Sequence, residues 1–518
     1  MTRAVMILAD QRDIASLNFE GIQVPGFDRV IVRVADYARL KEEAATIKAE
    51  IERDNVGLVI YARNDQIFER HSIAYCIRYF QTGYSSISGI DTEEAFSQAR
   101  SMIADLQGNE GIFEVPPIAA PTKKITAQPQ GTFSLIFDTE QLACIKVGLP
   151  RILPLLDQYG VKATFFCTGF VQDVYPKALP TIAERGHEIG IHGPHHEWMA
   201  GLSADEQRRR LTAHVEKFRH YYPVVGANFI FRTDAHTVPV LVDLGMRYCT
   251  AFALHHYKPL AYRQVNTQPI PIITDNGGIW MVPVPTETYN WPWFGTRLAI
   301  DSALMRSKQE TGQPHVSVLM HPFRDGTKNH LKQLEAMLEY LTQKRQLKPV
   351  TLEQHVTQPA PTTASKRIYM NYLRVDGSHP DGYQREFWSR AEYYWDRLST
   401  LYLGLKAIGT DAALTVEPEN IDYAVHPEAP TDGIPIPYDP MAASHDSTNS
   451  PEWERLLKLL REAEAAGGTH VFAPPSAEEQ QAFIRKLKRP RNLRDVTGLP
   501  PEAGMRVVFK LRKGRPTF

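Results

Sequence analysis

In the stretch GHEIGIHGPHHEWM, Gly186 to Met199, three histidines fall within five positions, directly after an apolar run of strand character. Imidazoles at this spacing can hold a divalent cation, and the stretch poses the question of whether they do and which two take part. A hydrolytic metal site needs three histidine or carboxylate ligands and one open coordination position, where water is acidified. Glu140, His192 and His196 could supply that set. Gly193 and Pro194 put the histidines on a loop, and no Glu follows His192, so the helical HExxH arrangement of zinc proteases is excluded. Asp138, two residues before Glu140, could act as general base, since side chains along a strand alternate with period two and both carboxylates would then reach one rim. His321 in VLMHP could protonate a leaving group, Arg232 could hold Asp138 ionised, and Asp234 could orient a histidine or Arg232. Each also has an ordinary reading: a loop acid or helix cap, an arginine at a strand end, an Asx turn, a structural histidine.

The elements that must position these residues repeat as strand, loop and helix. Strands are expected at TFSLIF (132–137), ATFFCT (163–168), HEIGI (187–191), NFIF (228–231), RYCTAFA (247–253), IWMVPV (279–284) and HVSVLM (315–320). Amphipathic helices lie between most of them, a pattern that suits an α/β fold with a distorted (β/α)7-type barrel. Asp138, Glu140, His192, His196, Arg232, Asp234 and His321 all follow a strand, where barrel enzymes assemble their sites from separate loops. Trp291 and Trp293, in TETYNWPWFGT after the sixth strand, could stack on a sugar ring or anchor the loop.

A chain of 518 residues exceeds one hydrophobic core. Two proline-rich stretches divide it into a domain at 1–112, a linker at 113–130, the barrel at 131–356, a linker at 357–366 and a C-terminal mixed α/β domain at 367–518. The first block reads as a small parallel α/β sandwich of flavodoxin or receiver type. It lacks a GxGxxG or Walker loop, and Asp10 and Asp13 near its first strand end fit a docking or assembly role. The last block has an aromatic-rich helix and a basic end, RKLKRPRNLRD and VVFKLRKGRP, which reads as a solvated surface before it reads as a phosphate site. A formal charge of -1 gives no overall attraction to nucleic acid or membrane. The N-terminal apolar stretch is too short and too soon charged for a signal peptide, no run is long enough to span a bilayer, and the four scattered cysteines read as buried thiols. These features together predict a cytoplasmic protein.

The succession TFSLIFDTE, GVKATFFCTG, ERGHEIGIHGPHH, FIFRTDAH and VSVLMHP resembles the polysaccharide deacetylase superfamily, the NodB-homology or carbohydrate esterase family 4 domain, over residues 131–356. The resemblance implies a distorted barrel that uses a divalent metal, commonly zinc, to hydrolyse N-acetyl or related amides on amino sugars. It matches Asp138 to the catalytic base, His192 and His196 to metal ligands, Arg232 to the arginine that positions the base, and His321 to the histidine acid. It leaves His195 in a supporting or substrate-facing place. The family's first motif commonly has two adjacent aspartates, whereas Thr139 stands here in the second place and Glu140 becomes the third ligand. The proline-rich sequence after the arginine is replaced by Thr233-Asp234-Ala235-His236, and TAFALHHYKP lacks the family's Asp-x-x-Asp-Trp; His255 or His256 could substitute, but they read first as core or solvent-facing residues. The expected function is therefore a zinc-dependent deacetylase of an acylated amino sugar, nucleotide-linked, lipid-linked or small, in surface-glycan biosynthesis, with protein partners or an oligomer formed through the flanks. Two rivals share the sequence: a hydrolase of a non-sugar linear or cyclic amide, and a catalytically weak barrel serving as a scaffold.

Overall fold

The structure, a computed structural model, describes residues 4–61 apart from 12–13, 25–26 and 37–38, then 83–85, isolated positions from 101 to 107, 112–123, 128–194, 196, 199, 202–229, 234–252, 267–288, 293–370, 395–425, 433–444, 450–473, 476 and 478. The first block has β1 (Ala4–Asp10), β2 (Arg29–Ala35), β3 (Val56–Tyr61) and β4 (Gly83–Ser85), all parallel in the order β2-β1-β3-β4. Every residue of β1 is buried, as a central strand covered on both faces requires.

The middle block contains β5 (Thr132–Thr139), β6 (Thr164–Cys167), β7 (Glu188–Ile191), β8 (Gly226–Ala227), β9 (Tyr248–Phe252), β10 (Ile270–Thr274), β11 (Gly277–Val284), β12 (Thr286–Glu287), β13 (His315–Met320) and β14 (Lys348–Pro349). Helices Leu149–Tyr159, Ala204–Arg219, Thr237–Asp243 and Trp293–Thr311 lie where the periodicity puts them. The strands pair in the order β12-β13-β5-β6-β7-β8-β9-β11-β10, parallel throughout except the hairpin of β10 with β11, which the sequence reading missed. The segments at the two ends of the run from β12 to β11 are separated in the chain by Pro285 alone. A second departure concerns the expected strand at 228–231. Pairing occupies Gly226–Ala227, so Asn228 follows that strand rather than opening one, and positions 230 and 231 of the expected strand lie outside the described residues.

The sheet continues from β10 into the last block by β16-β15-β17-β19-β18, where β15 is Lys366–Tyr369, β16 Ala412–Thr415, β17 Tyr423–Val425, β18 Ile434–Pro437 and β19 His470–Ala473. Ile272 and Ile273 of β10 sit in register with Leu414 and Thr415 of β16. The proline-rich segment before β15 lies against β11: the Trp280 indole donates to the Gln358 carbonyl at 2.8 Å. The segment after the first block is likewise tied down, with the amides of Thr122 and Lys123 donating to the Gln158 carbonyl at 3.0 Å. Asp105 of the first block receives Lys146 at 2.9 Å and the Tyr175 hydroxyl at 2.8 Å. Among the described residues, no helix is long and apolar enough to cross a membrane. Cys144, Cys167 and Cys249 are free and buried, while Cys76 lies outside the described residues.

Two close approaches set how the strands meet. A Cβ on Gly190 would stand 2.4 Å from the Phe166 ring, and one on Gly226 would stand 2.1 Å from the Tyr248 ring and hydroxyl. The Tyr248 ring cannot retreat, because its hydroxyl donates to the buried Glu188 at 2.5 Å. Gly226→Ala is therefore expected to cost about 1–3 kcal/mol of stability by overpacking, seen as a lower midpoint in denaturant unfolding. At the amino ends of the strands, the His187 Nδ1 accepts the Ala163 amide at 3.1 Å, and burial, aided by Lys162 and Arg185, pushes the imidazole down to about 3. The unfolded chain binds this proton near pH 6.5, so the contribution of neutral His187 is complete above that value and declines as pH falls toward 3. His187→Asn should weaken the loss of stability across that window and leave the slope above pH 7 unchanged.

Candidate active site at the carboxyl ends of the strands

Three backbone hydrogen bonds step across the carboxyl ends of the central strands. The Thr168 amide donates to the Thr139 carbonyl at 3.2 Å, His192 to Cys167 at 3.0 Å, and Asn228 to Ile191 at 3.0 Å. Each strand hands the next its terminal polar residue at the same level, so Asp138, Glu140, His192 and Asn228 gather at one rim although they span 90 positions between Asp138 and Asn228. All four are buried.

Glu140 is the centre of the cluster. Its Oε2 lies 2.6 Å from His196 Nε2 and 3.5 Å from His192 Nε2, and its Oε1 accepts the side-chain Nε2 of Gln141 at 3.1 Å. Burial alone would raise its carboxyl, but the charge of His196, hydrogen bonds from His192 and His196 and the charge of His321 hold it well below the usual carboxylate range. The loop that brings His196 back onto Glu140 reverses through Gly193 at φ 87° and His196 itself at φ 62°. A left-handed histidine is uncommon, and such conformations persist where surrounding contacts enforce them. His196 itself is engaged through its Nε2 on Glu140, while the start of the loop is held by Gly169, which donates to the Gly193 carbonyl at 3.1 Å, and Phe170, which donates to the Pro194 carbonyl at 2.7 Å.

The donor atoms of Glu140, His192 and His196 lie within 4.8 Å of one another. Tetrahedral ligands at ~2.1 Å from zinc stand ~3.4 Å apart, so this set fits a cation with small adjustment. His192 is oriented for ligation, because its Nδ1 meets the Asn228 carbonyl at 2.6 Å, which fixes a proton there and makes Nε2, facing the carboxylates, the nitrogen that would give up its proton to bind a cation. A second grouping, Asp138, Glu140 and His321, shares Glu140.

Asp138 Oδ2 faces His192 Nε2 at 3.6 Å and His321 Nε2 at 3.9 Å. His321 follows β13, with Nδ1 3.7 Å from Glu287 and its backbone amide donating to Asp325 at 2.9 Å. Burial pushes the His321 imidazole down, against the charges of Glu140 and Asp325, which pull it up. Asp234 sits in a turn before helix Thr237–Asp243. Its Oδ1 accepts Gln207 at 2.9 Å and the His236 amide at 3.0 Å. Trp293 opens helix Trp293–Thr311 and packs edge-on against Tyr340, ring centroids 5.7 Å apart, which is the arrangement of a loop anchor. Arg232, His195, Trp291, His255 and His256 lie outside the described residues. Sequence reasoning overlooked Asn228, Glu287 and Asp325. A polar residue closing a strand was the signal for Asn228, but it was hidden by placing that strand two residues too late.

Residues 126–238 match the family model described as polysaccharide deacetylase. The chain is thus similar to that family over part of its middle block. It is similar to a peptidoglycan deacetylase of Helicobacter pylori, 34% identical over 71 residues, which are 14% of this chain and 24% of that relative. A peptidoglycan-N-acetylglucosamine deacetylase of Bacillus cereus is 40% identical over 62 residues, 12% of this chain and 22% of that relative. The chain thus spans about a quarter of the length of these curated relatives. Among solved structures, the chitin deacetylase of Colletotrichum lindemuthianum aligns at 18% identity and a TM-score of 0.29, over 51% of this chain and 100% of that one.

If Glu140 is a ligand, Glu140→Ala should weaken zinc binding by more than the ~10–100-fold that loss of an outer-shell partner costs. Competition with a chromophoric chelator measures this, and equal affinity in both proteins would remove Glu140 from the set.

Proposed function

We propose that the protein is a divalent-metal-dependent amide hydrolase that removes an N-acetyl or related acyl group from an amino sugar or sugar conjugate, in the making of surface glycan, with zinc as the cation. One observation carries this reading: the set Glu140, His192 and His196 meets a second carboxylate, Asp138, and a further imidazole, His321, at a single rim. The names of the curated relatives, peptidoglycan deacetylases, support an N-acetylated amino sugar as the substrate class. The chain order of the strands, with only Pro285 between β11 and β12, supports a closed barrel as the scaffold.

A cation held by Glu140, His192 and His196 supplies Lewis acidity, which polarises an amide carbonyl and acidifies water. Asp138 takes the proton from the attacking water at Oδ2, the oxygen turned toward the imidazoles. His321 gives a proton to the departing amine. Its burial favours the neutral form, so the protonated imidazole is a ready donor. Asp325, through the His321 amide, and Glu287, beside Nδ1, hold that ring against the site. Arg232 is assigned beside Asp138 on the family resemblance.

Zinc-loaded protein assayed on N-acetylglucosamine oligomers, peptidoglycan fragments and nucleotide-linked or lipid-linked acylated amino sugars should release the acyl group from at least one. Asp138→Asn should lower turnover by roughly 10²–10⁴-fold, the usual contribution of a general base, with zinc still bound. Unchanged turnover would remove Asp138 from the chemistry, and no release from any acylated sugar with zinc or cobalt would sink the functional reading.

A further inference from the structure

Asn228 is fully buried at the end of β8 and makes contacts that the proposed chemistry has not yet used. Its side-chain Nδ2 donates to Asp138 Oδ1 at 2.5 Å, and its Oδ1 accepts the Thr250 hydroxyl at 2.5 Å. Its backbone carbonyl meets His192 Nδ1 at 2.6 Å, and its backbone amide is fixed to Ile191 at 3.0 Å. We propose that Asn228 is a positioning residue that aims the Asp138 carboxylate, with Thr250 setting which end of the amide faces it. This inference rests on the reading of Asp138 as the base.

The hydrogen-bond chemistry fixes the direction of the relay. An ionised carboxylate only accepts, so the amide must present its NH₂ to Asp138. The amide oxygen is then left toward Thr250, whose hydroxyl can satisfy it only by donating. A carboxylate rotates in a broad, nearly two-fold torsional well, so without an anchor it is poorly aimed. The bond from Asn228 engages Oδ1, and the charge-assisted character of that bond makes it a firm one. Oδ2 is thereby held toward His192 and His321, where the reacting water must lie for proton transfer. Asn228 divides its work between two parts of the site: the side chain serves the base, and the backbone carbonyl serves the metal ligand. A side-chain substitution should therefore separate the two functions.

The full-length, zinc-loaded protein provides the test. Asn228→Ala is expected to lower kcat on the order of 100-fold, the scale of a misplaced reacting group, with KM and zinc affinity close to wild type. Thr250→Val should lower kcat as well, and Thr250→Ser, which keeps the hydroxyl, should restore it. Added to Asp138→Asn, the alanine at 228 should cost nothing further. Loss of zinc in step with kcat, or Thr250→Ser no better than Thr250→Val, would overturn the inference. A second readout does not depend on turnover: unfolding of the metal-free Asp138→Ala, Asn228→Ala and double variants should be non-additive, as for residues in direct contact. Additivity would refute the contact. Should the wild type release no acyl group, the functional reading fails while this cycle still decides whether Asn228 holds Asp138.

Discussion

The site depends on register. Three amide-to-carbonyl bonds, from Thr168 to Thr139, from His192 to Cys167 and from Asn228 to Ile191, bring the ends of β5, β6, β7 and β8 to one level. A slip of one residue in any of these strands would turn its terminal side chain to the other face of the sheet. Gly190 and Gly226 lie within this arrangement, where Phe166 and Tyr248 leave no room for a Cβ. The Tyr248 hydroxyl then passes the constraint to Glu188 at the amino end of β7, itself bonded by Thr164 and by the Glu353 amide. The amino end of the sheet is thus part of what holds its carboxyl end in place.

Two buried carboxylates beside three imidazoles would be costly without compensation, because burial penalises ionised groups. The protein meets this cost with directed partners: Gln141, His192 and His196 around Glu140, and Asn228 on Asp138. The bonds from Asn228 hold His192 through Nδ1 and Asp138 through Oδ1, which leaves His192 Nε2 and Asp138 Oδ2 facing inward. The loop that carries left-handed His196 is held at its start by the amides of Gly169 and Phe170 on Gly193 and Pro194.

Much of this was legible from residue types. Strand candidates in the middle block matched most observed strands because parallel strands buried on both faces read as apolar runs, and the candidate metal ligands stood out where those runs end in acids and histidines. The β10–β11 hairpin was missed because only IWMVPV (279–284) was read as a strand, while the apolar run IPIIT before the Asp275-Asn276 turn was not. Asn228 escaped because VVGAN offers only a two-residue ladder, while the apolar NFIF beside it suggested the strand itself. Turn chemistry at Asp234 and the packing of Trp293 depend on partners distant in sequence, Gln207 and Tyr340, which periodicity does not reveal.

The pairing of β10 with β16 joins what the proline-rich segment at 357–366 would divide. A sheet edge is a row of unsatisfied amides and carbonyls, open to pairing with any extended chain that reaches it. β10 has its hairpin partner on one side and β16 on the other, so the last block acts as a cover for that edge. Removing it would leave the rim of acids and histidines intact in sequence while baring a sticky flank, and self-association through that flank would be the first consequence.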